Sequence, residues 1–173
     1  MAISRFLLPS LAAIAFACTA LVADAQTGPT GSPNKTGAQA GQAKRLTPER
    51  VAALLNSKVQ TEQDGSKTII AKVSKDGWQF EVIVSFLPDG KVFDIISPLT
   101  GANPNLTQAQ IQGLEQKNKE MQAAQKAFIL NKQDGRLYFA NINFRVDISE
   151  QAFAQELNAH CQVIRDSYDL WRQ

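Results

Sequence analysis

Few side chains in this chain could carry acid–base or covalent chemistry. His160 is the one histidine, Cys161 follows it, and Cys18 is the other cysteine. A nucleophilic site needs a nucleophile, a base and a third group that orients the base. His160 and Cys161 are neighbours on a helical pattern, and i, i+1 residues do not share a helix face. No third group accompanies them. His160 therefore reads as a helix-flank residue, and Cys161 as a small buried apolar residue, the usual state of a free thiol. A secreted enzyme built on either would need that side chain to open into a pocket beside a carboxylate or a serine. Asp166 and Asp169 stand three apart and could share a proton or a metal, but they read as a solvated face. No glycine-rich phosphate loop follows a strand, and no carboxylate spacing matches a calcium loop. Lys117, Lys119 and Lys126 interleave with Glu115 and Glu120, the pattern of an exposed helix surface rather than a phosphate track. The expectation is a protein that is not an enzyme and that uses no cofactor and no metal.

Composition agrees with that narrow inventory. One His and two Cys exclude zinc fingers and disulfide scaffolds. Lys and Arg number 18 against 16 Asp and Glu, a balance that gives no general grip on nucleic acid. With 173 residues, 44% of them apolar, the chain has material for one real core.

The elements that would position these residues follow from caps, turns and periodicity. Thr47-Pro48-Glu49 carries a helix start, with a helix expected from Pro48 to about Ser57. Three strands follow: Lys67 to Ser74, Trp78 to Phe86 and Lys91 to Ser97. The turns Lys75-Asp76-Gly77 and Pro88-Asp89-Gly90 join them into an antiparallel meander. Thr107 and Gln110 have capping-box spacing, opening a helix from about Gln108 to Lys126 with a thin apolar row. Ala127 to Asn131 and Arg136 to Val146 read as a hairpin. Ser149 then caps a strongly amphipathic helix running through Phe153, Leu157, Cys161, Ile164, Tyr168 and Trp171. The expected fold class is α+β, in the order α-β-β-β-α-β-β-α. It is a five-stranded antiparallel sheet with helices packed mainly on one face.

Strand alternation nominates a binding surface. Trp78, Phe80, Val82, Val84 and Phe86 share one face, and Trp78 with Trp171 reads as core or edge packing. A small-ligand carrier would need an enclosed cavity lined by the Trp78 strand. In the longer hairpin strand, Tyr138, Ala140, Ile142, Phe144 and Val146 are expected on one face, and Leu137, Phe139 and Asn141 on the other. Ile83, Leu137 and Phe139 form the candidate partner or dimer surface, open to a partner or to coverage by the chain itself. Asn118 joins them, because one buried Asn in an apolar helix row can fix the register of a helix pair.

The chain begins with Arg5, an uncharged run from Phe6 to Val22, and Ala23-Asp24-Ala25 before Gln26. These are the three parts of a secretory signal peptide, with cleavage between Ala25 and Gln26. Residues 1–25 are the expected signal, 26–44 a Gly- and Pro-rich tether without large apolar residues, and 45–173 a single domain. Localisation is expected to be periplasmic or secreted, with no stable membrane insertion after cleavage. The alternatives are an uncleaved anchor and a lipoprotein through Cys18, which ends the lipobox-like Ala15-Phe16-Ala17-Cys18. After cleavage Cys161 is the one thiol, either buried and inert or bridged to another chain.

Over about Leu46 to Trp171 the element order and several residues resemble the YbjN-like and type III secretion chaperone-like superfamily, the Tir-chaperone fold. The residues that carry the resemblance are Asn118 in the middle helix, Phe128-Ile129-Leu130 with Asp134-Gly135-Arg136-Leu137-Tyr138, and Asp147-Ile148-Ser149 with Phe153. The resemblance implies a homodimeric, non-enzymatic protein that binds another polypeptide. The export signal departs from the cytosolic setting of secretion chaperones.

Overall fold

The computed structural model describes residues 45–172. The expected signal, its Ala25–Gln26 cleavage site, Cys18 and the tether lie outside the described residues.

The chain opens with α1 (Pro48–Leu54), where Thr47 Oγ1 accepts from Arg50 N–H at 3.3 Å and Pro48 takes the first helical position. Asn56, at φ 47°, turns the chain out of it. Six strands follow in one antiparallel sheet: β1 (Val59–Thr61), β2 (Lys67–Lys75), β3 (Trp78–Phe86), β4 (Val92–Pro98), β5 (Lys126–Leu130) and β6 (Leu137–Arg145). Their order is β1-β2-β3-β4-β6-β5. Between β4 and β5 lies α2 (Gln108–Met121), opened by the expected capping box at Thr107 and Gln110 and continued by a 3-10 turn. The chain closes with α3 (Glu150–Asp166) and the single turn α4 (Tyr168–Trp171).

Several expectations need correction: α1 ends at Leu54 and not near Ser57, and α2 ends at Met121 and not near Lys126, which opens β5. The sheet has six strands, not five. The added strand, Val-Gln-Thr, is too short to show an alternation of its own. Pairing creates it: Asp64 Oδ1 accepts from Ser66 N–H and Oγ at 2.9 and 2.7 Å, and Gly65 takes φ 86°. That turn lays Val59 against Ile69 and Thr61 against Lys67. The last helix is also not continuous, because α3 ends at Ser167 and α4 follows as a separate turn. The indole N–H of Trp171 then donates to the carbonyl of Ile164 at 3.0 Å.

The helices pack on one face of the sheet, as expected. Val51 and Ala52 of α1, Leu114 of α2, and Phe153, Leu157, Cys161 and Ile164 of α3 join one core with Phe80, Val82, Val84 and Phe86. Each large side chain so buried contributes about 1.5–3 kcal/mol, more than any difference in helix propensity along α3.

β6 changes face part-way along. Phe93 pairs with Phe144 and Ile95 with Asn141, so the one residue between them on β4, Asp94, opposes two on β6, Ile142 and Asn143. The extra residue is absorbed at Asn143, which takes φ 61° and donates its N–H to Asp94 Oδ1 at 2.8 Å. Before this bulge Leu137, Phe139 and Asn141 point to the core, and after it Phe144 and Val146 do. Tyr138, Ala140 and Ile142 point the other way. The expected uninterrupted face from Tyr138 to Val146 therefore does not exist.

The bulge yields a prediction. Asn143→Gly should leave stability nearly unchanged, since glycine takes positive φ freely. Asn143→Val should lose about 1–2 kcal/mol, because a β-branched residue is strained there. Urea unfolding of the two variants checks this. Equal losses would place the effect in the asparagine side chain instead.

Candidate functional site

Three polar side chains meet inside the core. Ser97 leaves β4 on the core-facing side, opposite Phe139 of β6, and Asn141 lies two residues further along β6. α3 brings His160 down between them. Ser97 Oγ lies 2.9 Å from His160 Nε2, and His160 Nδ1 lies 3.2 Å from Asn141 Oδ1. The Phe139 ring packs on the imidazole at 4.8 Å between centroids. His160 and Asn141 are 0% exposed and Ser97 1%. With the amide oxygen of Asn141 facing the ring, the matching tautomer is Nδ1–H, which donates to that oxygen while Nε2 accepts from the Ser97 hydroxyl. His160 is thus not at a helix flank. The signal for this cluster was two polar residues, Ser97 and Asn141, standing at core-facing positions of apolar strands.

The line Ser–His–Asn copies the shape of a nucleophilic relay and reverses its electrostatics. A general base must hold a proton near neutral pH. Burial, and after it the Lys126 ammonium, push His160 down to about 3. Asn141 offers no negative charge to hold an imidazolium, and Lys126 opposes one. Where the registered pairing of β3 and β4 stops at Ile83 and Ile96, a cavity of about 130 Å³ reaches Ser97, lined also by Trp78, Phe80, Ile164 and Trp171. Pockets for organic ligands run from about 300 Å³ upward. The cavity thus stands where a carrier would need it and falls short in volume. Trp78 and Trp171 are half-buried and share an aromatic group with Tyr168, at 5.0 and 4.9 Å. Cys161 is 1% exposed, and burial pushes its thiol up, away from the reactive thiolate. Asp166 engages Gln162 and Arg165, and Asp169 engages Arg172. Among the described residues no group of three or more His, Cys, Asp or Glu could hold a metal, and no helix is long and apolar enough to cross a membrane.

The expected partner surface separates into two parts. Leu137 and Phe139 are 2% and 0% exposed, inside the core. Only Ile83 of that trio lies on the face away from the helices. It belongs there to a different row, because cross-strand partners share a face. Ile70 pairs with Ile83, Ile83 with Ile96, Ile96 with Ala140, and Ala140 with Ala127. None of these side chains belongs to the helix-packed core, although Ile96 and Ala140 are themselves buried, at 7% and 3% exposed. Ile142, 36% exposed, and the half-buried Tyr138 and Ile129 extend the row toward the β5 side. Polar residues bound it: Thr68, Ser85 and Asp94 on one side, Lys72 and Glu81 on the other. The Asp94 carboxyl is raised by its burial, with the Asn143 N–H partly compensating.

Asn118 lies on α2 and reaches β5. Its Nδ2 donates to the carbonyl of Phe128 at 2.9 Å, and its Oδ1 accepts from the N–H of Phe128 at 2.7 Å. Within the described chain its partner is therefore a strand backbone, not a second helix.

The fold is similar to that of a chain in the crystal structure of the ExsC-ExsE complex. The likeness has a TM-score of 0.51 at 13% sequence identity, and covers 73% of this chain and 96% of that one. It bears out the α+β fold with its antiparallel sheet and does not single out the YbjN-like branch of the resemblance. No family model matches the chain, and no curated protein sequence does.

The buried histidine makes stability depend on pH. Unfolded, its imidazole takes up a proton below about 6.5, and folded it does not until about 3. The unfolded state binds more protons in that window, so stability is full above pH 6.5 and falls as pH drops. Between pH 7 and pH 5 the loss should be about 2 kcal/mol. His160→Gln should remove most of that slope, which urea unfolding at the two pH values measures.

Proposed function

We propose that the chain is an exported, non-enzymatic module that binds another polypeptide through the open face of its sheet, and that it works as a homodimer. The observation that carries this is the apolar row Ile70–Ile83–Ile96–Ala140, outside the helix-packed core, in which Ile70 and Ile83 are half-buried, Ile96 and Ala140 are 7% and 3% exposed, and Ile142 beside them is 36% exposed. Apolar area arranged contiguously and rimmed by polar side chains is what a partner buries. The similar solved chain was crystallised in a two-protein complex, which supports a polypeptide as the class of partner. The non-enzymatic reading is supported by a histidine that is sealed from solvent and disfavoured as a base. Export rests on Arg5, the uncharged run to Val22 and Ala23-Asp24-Ala25, which imply a mature chain that begins at Gln26 in the periplasm or outside the cell.

Two measurements test the proposal. Sedimentation of the mature chain should show a dimer, and Ile83→Lys with Ile142→Lys should convert it to a folded monomer that no longer retains a bound polypeptide. A wild-type chain that is monomeric at high micromolar concentration and retains no polypeptide overturns the reading. Intact mass of the exported protein should correspond to residues 26–173. A diacylglycerol on Cys18 would replace cleavage after Ala25 with lipid anchoring.

A further inference from the structure

β5 ends the sheet on one side, and its hydrogen-bonding phase can be read. Lys126 opposes Asn141, and the N–H of Ile142 donates to the carbonyl of Gln125 at 3.0 Å. That bond makes Lys126–Asn141 a pair without mutual hydrogen bonds, so alternate residues follow. Ala127 and Ile129 turn their backbone groups toward β6. Lys126, Phe128 and Leu130 turn theirs outward, from a strand that reads Lys-Ala-Phe-Ile-Leu. An edge of that composition is a template for another strand.

The middle of this edge is occupied. Asn118 satisfies both outward groups of Phe128, one as donor and one as acceptor. A carboxamide offers the same donor and acceptor as a peptide group, so this one side chain stands where the backbone of a further strand would. α2, which carries it, packs Met121 against the core and Gly113 against Leu170. Leu114 is its one buried residue, and Gln110 Nε2 reaches the carbonyl of Arg172 at 3.0 Å.

We propose that Asn118 is an edge block, which keeps β5 from pairing with β5 of a second copy of this chain. The geometry favours a second copy as the excluded partner. The three outward residues are symmetric about Phe128, so an antiparallel two-fold pairing sets Phe128 against Phe128 and Lys126 against Leu130. The one charged residue of the strand then meets an apolar residue, which is 54% exposed, and no like charges oppose each other. Asn118 sits at the symmetry centre of that pairing. The block is independent of the open sheet face, which is made of side chains and not of edge backbone.

Asn118→Ala tests it, by hydrogen exchange and by sedimentation up to high micromolar concentration. The Phe128 amide should exchange about tenfold faster, and the chain should gain an association step beyond that of the wild type. The step should persist in the Ile83→Lys background and vanish on adding Leu130→Pro, which removes an outward N–H. An association state unchanged from wild type overturns the proposal, as does a new step that survives Leu130→Pro. Asn118→Asp keeps the acceptor and loses the donor at neutral pH, so it reads the same edge if the alanine variant does not fold. Association of this variant beyond wild type supports the block, and an unchanged state overturns it.

Discussion

Asn143 holds φ 61° against the carboxylate of Asp94, and every residue of β6 beyond it is turned over relative to those before it. The rest of the molecule is arranged around that inversion. Upstream, Leu137, Phe139 and Asn141 supply the floor on which α3 lies. Downstream, Phe144 and Val146 supply the side of the core that receives Phe93 and, from before α1, Leu46. Without the extra residue the strand could satisfy one of these groups and would expose the other, since a slip of one residue exchanges the two faces. The same inversion leaves Ile142 outside, beside Ala140 and Ile96, and so completes the apolar row of the open face.

The buried Ser97–His160–Asn141 line shows how little geometry alone says about chemistry. Distances of 2.9 and 3.2 Å are those of a working relay. The surroundings decide otherwise: a low-dielectric interior, a cation nearby and an amide in place of a carboxylate. In that setting the two ring nitrogens of His160 tie α3 to β4 and β6, while Asn141 Nδ2 is buried without a hydrogen-bond partner among the described residues. The tie is strongest with a neutral imidazole, which is the form that its burial favours.

The sheet has two ends, and each is managed differently. At one end β1 is only three residues long, too short to template much pairing. At the other, β5 is apolar and carries outward backbone groups, and a side chain of α2 occupies its centre. The face of the sheet away from the helices differs from both ends in presenting side chains and not edge backbone.

The sequence by itself determined the α+β class, five of the six strands, the meander, the capped starts of all three longer helices and the face of β3 that meets them. These are local matters, settled by caps, turn residues and a period of two or 3.6 within one segment. It also determined that Cys161 would be buried, from its place in the apolar stripe of α3. It did not determine which face Leu137 and Phe139 occupy relative to Ile83, because one αL residue resets the period and nothing in the letters Asn-Ile-Asn-Phe marks which Asn it is. β1 exists only because β2 is there to pair with. His160 looked like a flank residue because its partners, Ser97 and Asn141, are 63 and 19 residues away in the chain. Asn118 looked like a register residue for a helix pair because β5, which it caps, becomes its neighbour only when α2 folds back along the sheet. Periodicity is a property of a segment, whereas hydrogen-bond partners and face assignment belong to the packed sheet, and those only the tertiary structure decided.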